Sequence, residues 1–265
     1  MQTKDLSVEI KNLNLKNPPL FKEEEHLKYI NDWRGQYTGK AVAILRPTNT
    51  LEVSAIVRFA FENNISIVPQ GGNTSLCGAA TPDQSGNSII VSLEKMNKVR
   101  QFNKKAQTIT VESGMILSQI HELVEKEDLF FPLSLGAKGS CMIGGNIATN
   151  AGGVNVLKYG NTRELCLGLE VVLADGKIMN LLSELKKDNT GYDLKNIFIG
   201  AEGTLGIITA ATLKLFQLPK TITTVFVEAD KISNAVELLN VFNSHFPDRI
   251  ESFELMPKVF WEIAQ

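Results

Sequence analysis

The residues with chemistry to offer are adjacent glycine pairs beside small polar side chains. They occur as Gln70-Gly71-Gly72-Asn73-Thr74-Ser75, as Gly139-Ser140-Cys141-Met142-Ile143-Gly144-Gly145-Asn146, and as Thr149-Asn150-Ala151-Gly152-Gly153. Paired glycines let consecutive backbone N–H groups turn into one concavity, a nest for an anion. Hydroxyls and amides beside them can complete the hydrogen-bonding shell. Thirteen of the twenty glycines fall between Gly136 and Gly206, and none sits two residues from another. The Gly-x-Gly turn of a Rossmann dinucleotide fold is therefore absent, and so is a Gly-x-x-x-x-Gly-Lys phosphate loop. The pattern predicts a phosphorylated cofactor gripped by loops from well-separated parts of the chain.

Other reactive side chains offer less. Cys77, Cys141 and Cys166 lack Cys-x-x-Cys spacing, and His26, His121 and His245 are scattered, so neither a zinc site nor a disulfide framework is expected. His121, beside Glu122 in a helical run, reads as a satisfied or solvated histidine, and Cys77 and Cys141 as small core residues. Lys138 could approach a phosphate or lie on the surface. With 27 basic against 29 acidic residues, no broad attraction to nucleic acid or anionic lipid is implied, and phosphate binding must be local. The N-terminus lacks a secretory pattern and no apolar run reaches the ~20 residues needed to span a bilayer. These features predict a soluble, cytoplasmic chain of 265 residues with enough apolar content, 43%, for a sizeable core.

The elements that must position these loops read as follows. Residues 21–30 form a short acidic helix, and 41–45 a strand stopped by Pro47. Thr50 caps a helix running to about Asn63, with Val53, Ile56, Val57 and Ala60 on one face. Residues 65–68 form a buried strand entering the first glycine pair, which completes a βαβ-like opening. Strands are expected at 88–92, 98–103 and 108–112, and an amphipathic helix at 116–125. The stretch 130–162, rich in Gly, Asn, Ala and Ser but with only Lys138 and Lys158 as charges, reads as a buried loop region against which something packs. A hairpin spans 167–173 and 177–182, and a last strand 207–216. Beyond Pro219 the pattern restarts: strand 223–229, helix 233–246, strand 251–255 and the beginning of another helix. A second unit therefore begins near 220 and is not completed.

Four segments together carry a resemblance. They are Val68-Pro69-Gln70-Gly71-Gly72-Asn73-Thr74, the stretch from Leu135-Gly136-Ala137-Lys138 to Asn150-Ala151-Gly152-Gly153, Leu167-Gly168-Leu169-Glu170-Val171-Val172-Leu173-Ala174-Asp175-Gly176, and Phe198-Ile199-Gly200-Ala201-Glu202-Gly203-Thr204-Leu205-Gly206-Ile207-Ile208-Thr209. In this order they resemble the FAD-binding domain of the vanillyl-alcohol oxidase/p-cresol methylhydroxylase (PCMH) superfamily. Within it the chain is most similar to the D-2-hydroxy-acid dehydrogenases, the group of D-2-hydroxyglutarate dehydrogenase, D-lactate dehydrogenase and the glycolate oxidase D subunit. Lys187-Asp188-Asn189-Thr190-Gly191-Tyr192-Asp193 is especially like the hydroxyglutarate branch. The resemblance covers roughly residues 30–220 and continues weakly into Glu251-Ser252-Phe253-Glu254-Leu255-Met256, similar to the opening of that family's substrate-covering cap.

The resemblance implies an α+β fold: a PCMH-type domain of two subdomains, one small and mixed α/β, one a larger antiparallel sheet flanked by helices. It implies a division into an N-terminal helical segment (1–36), the FAD-binding domain (37–219) and an incomplete, ferredoxin-like cap (220–265). Pro69, Gln70, Gly71, Gly72, Asn73, Thr74 and Ser75 would wrap the diphosphate of FAD. Pro132, Gly136, Ala137, Gly139, Ser140, Gly144, Gly145 and Asn146 would line the diphosphate and the dimethylbenzene side. Thr149, Asn150, Gly152 and Gly153 would lie further along, and Glu202, Gly203, Gly206 and Ile207 by the adenosine half, the Ile207 backbone reading the adenine.

A histidine that carries covalent FAD in some relatives is replaced by Asn73, so noncovalent FAD is expected. Ser134 stands where this branch usually has Asp, and in the family a stretch like Asp32-Trp33-Arg34 packs near the flavin. The implied reaction is hydride transfer from a small-molecule D-2-hydroxy acid to flavin N5, with a quinone, cytochrome or electron-transfer flavoprotein as acceptor. The catalytic base and any divalent metal would belong to a missing C-terminal half. A homodimer and a peripheral position at the inner face of a membrane stay open. Three rival readings stay open too: an FAD-binding electron-transfer subunit, a UDP-N-acetylenolpyruvoylglucosamine reductase type, and a non-flavin nucleotide binder.

Overall fold

In a computed structural model of the chain, residues 6–257, 259, 260 and 263 are described. The start of the N-terminal segment (residues 1–5) and most of the helix expected at the C-terminal end lie outside them. Two short helices, α1 (Leu6–Lys11) and α2 (Glu23–Ile30), lead into strand β1 (Ala43–Leu45), helix α3 (Thr50–Glu62), β2 (Ser66–Gln70) and β3 (Ser88–Ser92). These strands form a small parallel sheet in the order β1-β3-β2. Central β3, Ser-Ile-Ile-Val-Ser, is buried along its whole length, as expected of a run apolar on both faces. Helix α3 buries Val53, Ile56, Val57 and Ala60 in the same core as Ile89 and Val91. Its N-cap is Asn49, not Thr50: the Asn49 side-chain Oδ1 accepts from Glu52 N at 2.9 Å, and the Glu52 carboxylate accepts from Thr48 N at 2.7 Å. Thr50, one residue on, turns its hydroxyl to Glu170 instead.

The second unit contains β4 (Val99–Asn103), β5 (Thr108–Glu112), α4 (Leu117–Glu125), β6 (Leu129–Phe130), and the short helices α5 (Ile143–Ala148), α6 (Val156–Tyr159) and α7 (Thr162–Leu165). The hairpin β7 (Cys166–Leu173) and β8 (Ile178–Leu181), helix α8 (Lys195–Phe198), β9 (Gly206–Lys214), β10 (Phe216–Gln217) and helix α9 (Ile232–His245) complete the order. Five strands form an antiparallel sheet, β4-β5-β9-β7-β8, with Val111 and Leu169 flanking Ala211 across it. The apolar face of α4, Leu117, Ile120 and Val124, packs in a core with Phe131, Ile143 and Ile147. This is the α+β pair of subdomains that the sequence predicts.

Four expectations change. The stretch 130–162 is not loop throughout: irregular over 131–142 and 149–155, it winds into α5, α6 and the start of α7, because Ile143 and Ile147 reach the core while the glycines let the first turn of α5 press on Ser113. Strand β2 is only half buried, since it is an edge of its sheet. The last strand divides: Leu215 is buried, β9 stops at Lys214, and Phe216 pairs with Phe130 of β6. Residues 223–229 and 251–255 are not strands, because an extended segment gains its ladder only from a neighbouring strand, and among the described residues no strand pairs with them.

The two subdomains meet through a buried ionic network. Glu170 on β7 accepts from the Thr209 hydroxyl at 2.7 Å and from Arg100 at 2.9 Å, and Thr50 of α3 bonds the same carboxylate. Arg100 also lies 3.5 Å from Glu112.

Candidate functional site

Strand β2 delivers its last residue, Gln70, to the top of the small sheet, and the chain then turns through 71–75 against the first turn of α5. Gln70 is buried, and its Nε2 donates to Tyr29 O and Ala80 O, each at 2.8 Å. Asn73, at φ +51°, donates from Nδ2 to Asn31 O at 2.7 Å. Both amide nitrogens are thus spent on holding the loop. What the loop offers is backbone. None of the N–H groups of residues 71–75 has an acceptor among the described residues, and the Gly145 N–H on the facing helix is likewise free.

The glycines divide by what a side chain would meet. A Cβ on Gly72 would fall 2.2 Å from Ser140 O, and one on Gly144 would fall 2.5 Å from the Ser113 Cβ. Those two glycines let backbones pack. A Cβ on Gly145 would meet nothing within 4 Å and one on Gly71 nothing nearer than 3.5 Å, so these two border open space. Gly153 belongs with the packing group, since a Cβ on it would run into Ser134 O.

That open space is a cavity of about 450 Å³, within the range of sites for organic ligands. Its lining brings together Pro69, Gln70, Gly71, Gly72, Asn73, Thr74, Ser75, Ala137, Gly144, Gly145, Asn146, Thr149, Glu202, Gly203, Gly206 and Ile207. Pro132, Gly136, Gly139, Ser140, Asn150, Gly152 and Gly153 fall outside it. Several of these act from behind. Pro132 O accepts from Asn155 Nδ2 at 2.9 Å, and Asn150 Oδ1 accepts from Arg163 N at 3.0 Å. Sequence reasoning missed Leu93, Leu135, Met142, Ala148 and Ile208, apolar wall residues with no local pattern to mark them. It also placed Cys77 in the core, whereas Cys77 is exposed and borders the cavity. A second, largely apolar pocket of about 310 Å³ adjoins it, sharing Pro69, Gly203, Gly206 and Ile207 and adding Val57, Phe61 and Ala174.

Titratable groups in the cavity are few: Cys77, Cys141 and Glu202. Burial pushes the Cys141 thiol up, against a bond from the Asn146 side chain. None of the three histidines lines the cavity. Burial lowers His121, whose Nε2 lies 2.9 Å from Leu133 O. Asp32 is buried and accepts from Tyr37 N at 2.7 Å, the bond that does most to hold it below the usual carboxylate range. Among the described residues no group of three or more His, Cys, Asp or Glu gathers to hold a metal ion.

Residues 41–182, more than half of the chain, match the family model described as an FAD binding domain. The chain belongs to this family. It is 43% identical over 225 residues to the mitochondrial D-2-hydroxyglutarate dehydrogenase of Bos taurus, covering 85% of this chain and 41% of the relative. It is 39% identical over 242 residues to the D-2-hydroxyglutarate dehydrogenase of Xanthomonas citri pv. viticola, covering 91% and 50%. The chain thus spans half or less of the length of these relatives. In fold it matches an alkyldihydroxyacetonephosphate synthase with a TM-score of 0.73 at 23% identity, covering 83% of this chain and 42% of that one. A Phl p 4 variant described as a glucose oxidase matches with a TM-score of 0.64 at 24% identity, covering 76% and 41%.

FAD is the cofactor of this family, and the site fits it. Residues 71–75 and Gly145 line the cavity and carry N–H groups without an acceptor among the described residues, and a Cβ at Gly145 would meet nothing within 4 Å. No helix among the described residues is long and apolar enough to cross a membrane.

Proposed function

We propose that the chain is the flavin-binding part of an FAD-dependent dehydrogenase that oxidises a D-2-hydroxy acid, of the 2-hydroxyglutarate, lactate or glycolate type, to the 2-oxo acid. The observation that carries the reading is the run of five unaccepted backbone N–H groups on residues that line one cavity with Gly145, in a chain 43% identical to a D-2-hydroxyglutarate dehydrogenase. Bound FAD supplies a hydride acceptor at flavin N5. The N–H groups of 71–75 and 145 hold the diphosphate in place. The adjoining apolar pocket, with Ile207 at its edge, takes the adenosine half. Leu93, Leu135, Met142 and Ile208 exclude water, which strengthens those hydrogen bonds.

FAD is held noncovalently, since Asn73 offers no nucleophile and is tied to Asn31. The hydroxyl proton of the substrate needs a base, and no histidine reaches the cavity, so that base belongs to a part of the protein beyond these residues. On this reading 37–219 is the cofactor domain, 1–36 an N-terminal segment bound to it, and 220–265 the start of a substrate cap. The electron acceptor is a quinone, cytochrome or electron-transfer flavoprotein. The working form lies in an aqueous compartment, cytoplasmic or at the inner face of a membrane, with a homodimer allowed.

The test is an anaerobic absorption spectrum of the purified chain with FAD. A flavin spectrum, loss of the flavin into solution on acid precipitation, and slow bleaching or none by the D-hydroxy acids are expected, because the base and the substrate cap are not part of the chain; robust oxidation of a hydroxy acid by the chain alone overturns that division of roles. A colourless protein that takes up no FAD, or rapid bleaching by NADPH and by none of the acids, overturns the proposal.

A further inference from the structure

Among the described residues beyond Pro219 only Ala235 is buried, while Val225, Val227, Ile232 and Val236 stay exposed. This unit therefore has little apolar purchase on the flavin domain, and its placement must come from elsewhere. The covalent connection does not supply it. Leu218 N donates to Asp128 O at 3.1 Å, and residues 219–231 then form neither helix nor strand.

A second attachment lies at Glu251. Its Oε1 accepts from Lys158 Nζ and from the Tyr159 hydroxyl, each at 3.1 Å. Those two residues end helix α6, and contacts within the flavin domain hold them. Tyr159 meets Phe130 and Phe216 edge-on, with ring centroids 5.9 and 4.7 Å away, and these two are cross-strand partners in β6 and β10. Lys158 Nζ lies 4.8 Å from the Tyr159 ring centroid. Just before α6, Val154 N donates to Ser134 O at 3.0 Å and Asn155 Nδ2 to Pro132 O at 2.9 Å. Ala151, shortly upstream, lines the cavity. The receptor for Glu251 is thus built on the segment that leaves the cavity wall.

A fully exposed ion pair would contribute little. Here the Lys158 and Glu251 side chains keep 25% and 19% of their accessible surface, and the phenol adds a second charge-assisted bond to the same carboxylate. Together these suffice to bias a docking equilibrium several-fold.

We propose that Lys158 and Tyr159 form a carboxylate receptor that seats the unit beyond Pro219 through Glu251, and so set where that unit stands relative to the cofactor cavity. The functional sense of this clasp rests on the reading of 220–265 as the start of a substrate cap. All three are positioning residues. With the clasp open, the irregular connector leaves the unit free to swing away.

Distances between two nitroxide labels, measured by electron–electron dipolar spectroscopy on the full chain, test it. One label goes on native Cys77, which is exposed while Cys141 and Cys166 are buried, and the other on Ser244→Cys, exposed on α9. The doubly labelled parent gives one narrow distribution. Glu251→Ala or Lys158→Met raises the displaced fraction roughly three- to tenfold, and Tyr159→Phe, which keeps the ring and drops one bond, raises it less. The charge swap Lys158→Glu with Glu251→Lys narrows the distribution again, a rescue that a merely structural role does not give. Melting temperature and FAD affinity stay unchanged in Glu251→Ala. A broad distribution in the parent, a narrow one in Glu251→Ala, or a swap that restores nothing overturns the inference. FAD titration of the same samples keeps the two readings apart: a chain that holds its distance and takes up no flavin supports the clasp and overturns the cofactor assignment.

Discussion

Adjacent glycines in this site answer to different forces, and Gly72 and Gly145 show the contrast. Gly72 is needed because Ser140 O lies where its Cβ would be, 2.2 Å away. Gly145 is needed for what comes into the space beside it, since a Cβ there meets nothing. Gly72→Ala should therefore destabilise by about 1–3 kcal/mol through overpacking, lowering the melting temperature whether or not FAD is present. Gly145→Val should fold with a near wild-type melting temperature and bind FAD at least ~10-fold more weakly, because the branched side chain fills the ligand's volume. Thermal melts and flavin titrations of the two variants check this, and the reverse pattern would mean that the cavity lies elsewhere. Sequence alone could not sort the pairs, as Gly-Gly looks the same whether backbone or ligand takes up the room.

At the scale of elements, α3 shows what local sequence decides and what it does not. Its apolar spacing, Val53, Ile56, Val57 and Ala60, gave the buried face correctly. The cap was displaced by one residue, because Asn49 and Thr50 are both good N-caps and a distant partner, Glu170, claims the threonine. Asn49→Ala should lower stability by about 1 kcal/mol, read as a small fall in the denaturation midpoint with the slope unchanged. Thr50→Ala, which also strips a bond from Glu170, should cost more. Helix α5 was missed as an element since Ile-Gly-Gly-Asn-Ile-Ala has poor intrinsic propensity. Packing of Ile143 and Ile147, with bonds from Ile143 N to Met115 O and Gly144 N to Ser113 O, holds it in place.

For the molecule as a whole, the joint between subdomains is electrostatic as well as apolar. Burial alone would raise the Glu170 carboxyl, but bonds from Thr50 and Thr209 and the Arg100 guanidinium outweigh it and hold the carboxyl below its ordinary value. A carboxyl that is lowered in the fold contributes its full stability above the unfolded value near ~4.3, and loses it as pH falls through the folded value. This contribution should therefore be lost as pH falls below about 4.3. Glu170→Gln should melt lower at pH 7 and show a smaller fall between pH 6 and pH 3.5, which thermal unfolding across that range will show. An unchanged pH slope would mean that other carboxylates carry the acid sensitivity.

The amino-acid sequence by itself determined most strand positions, the absence of a Rossmann turn and the glycine-paired loops that line the cavity, because these rest on short-range periodicity and on residue types that act locally, while the α+β class was legible only through the resemblance of four motifs to a known family. Tertiary structure decided which loops share one cavity, which glycines pack and which leave room, and that Gln70 and Asn73 spend their amide nitrogens on holding the loop. Each of those depends on groups far apart in the chain meeting within a few ångströms, and no local pattern encodes such a meeting.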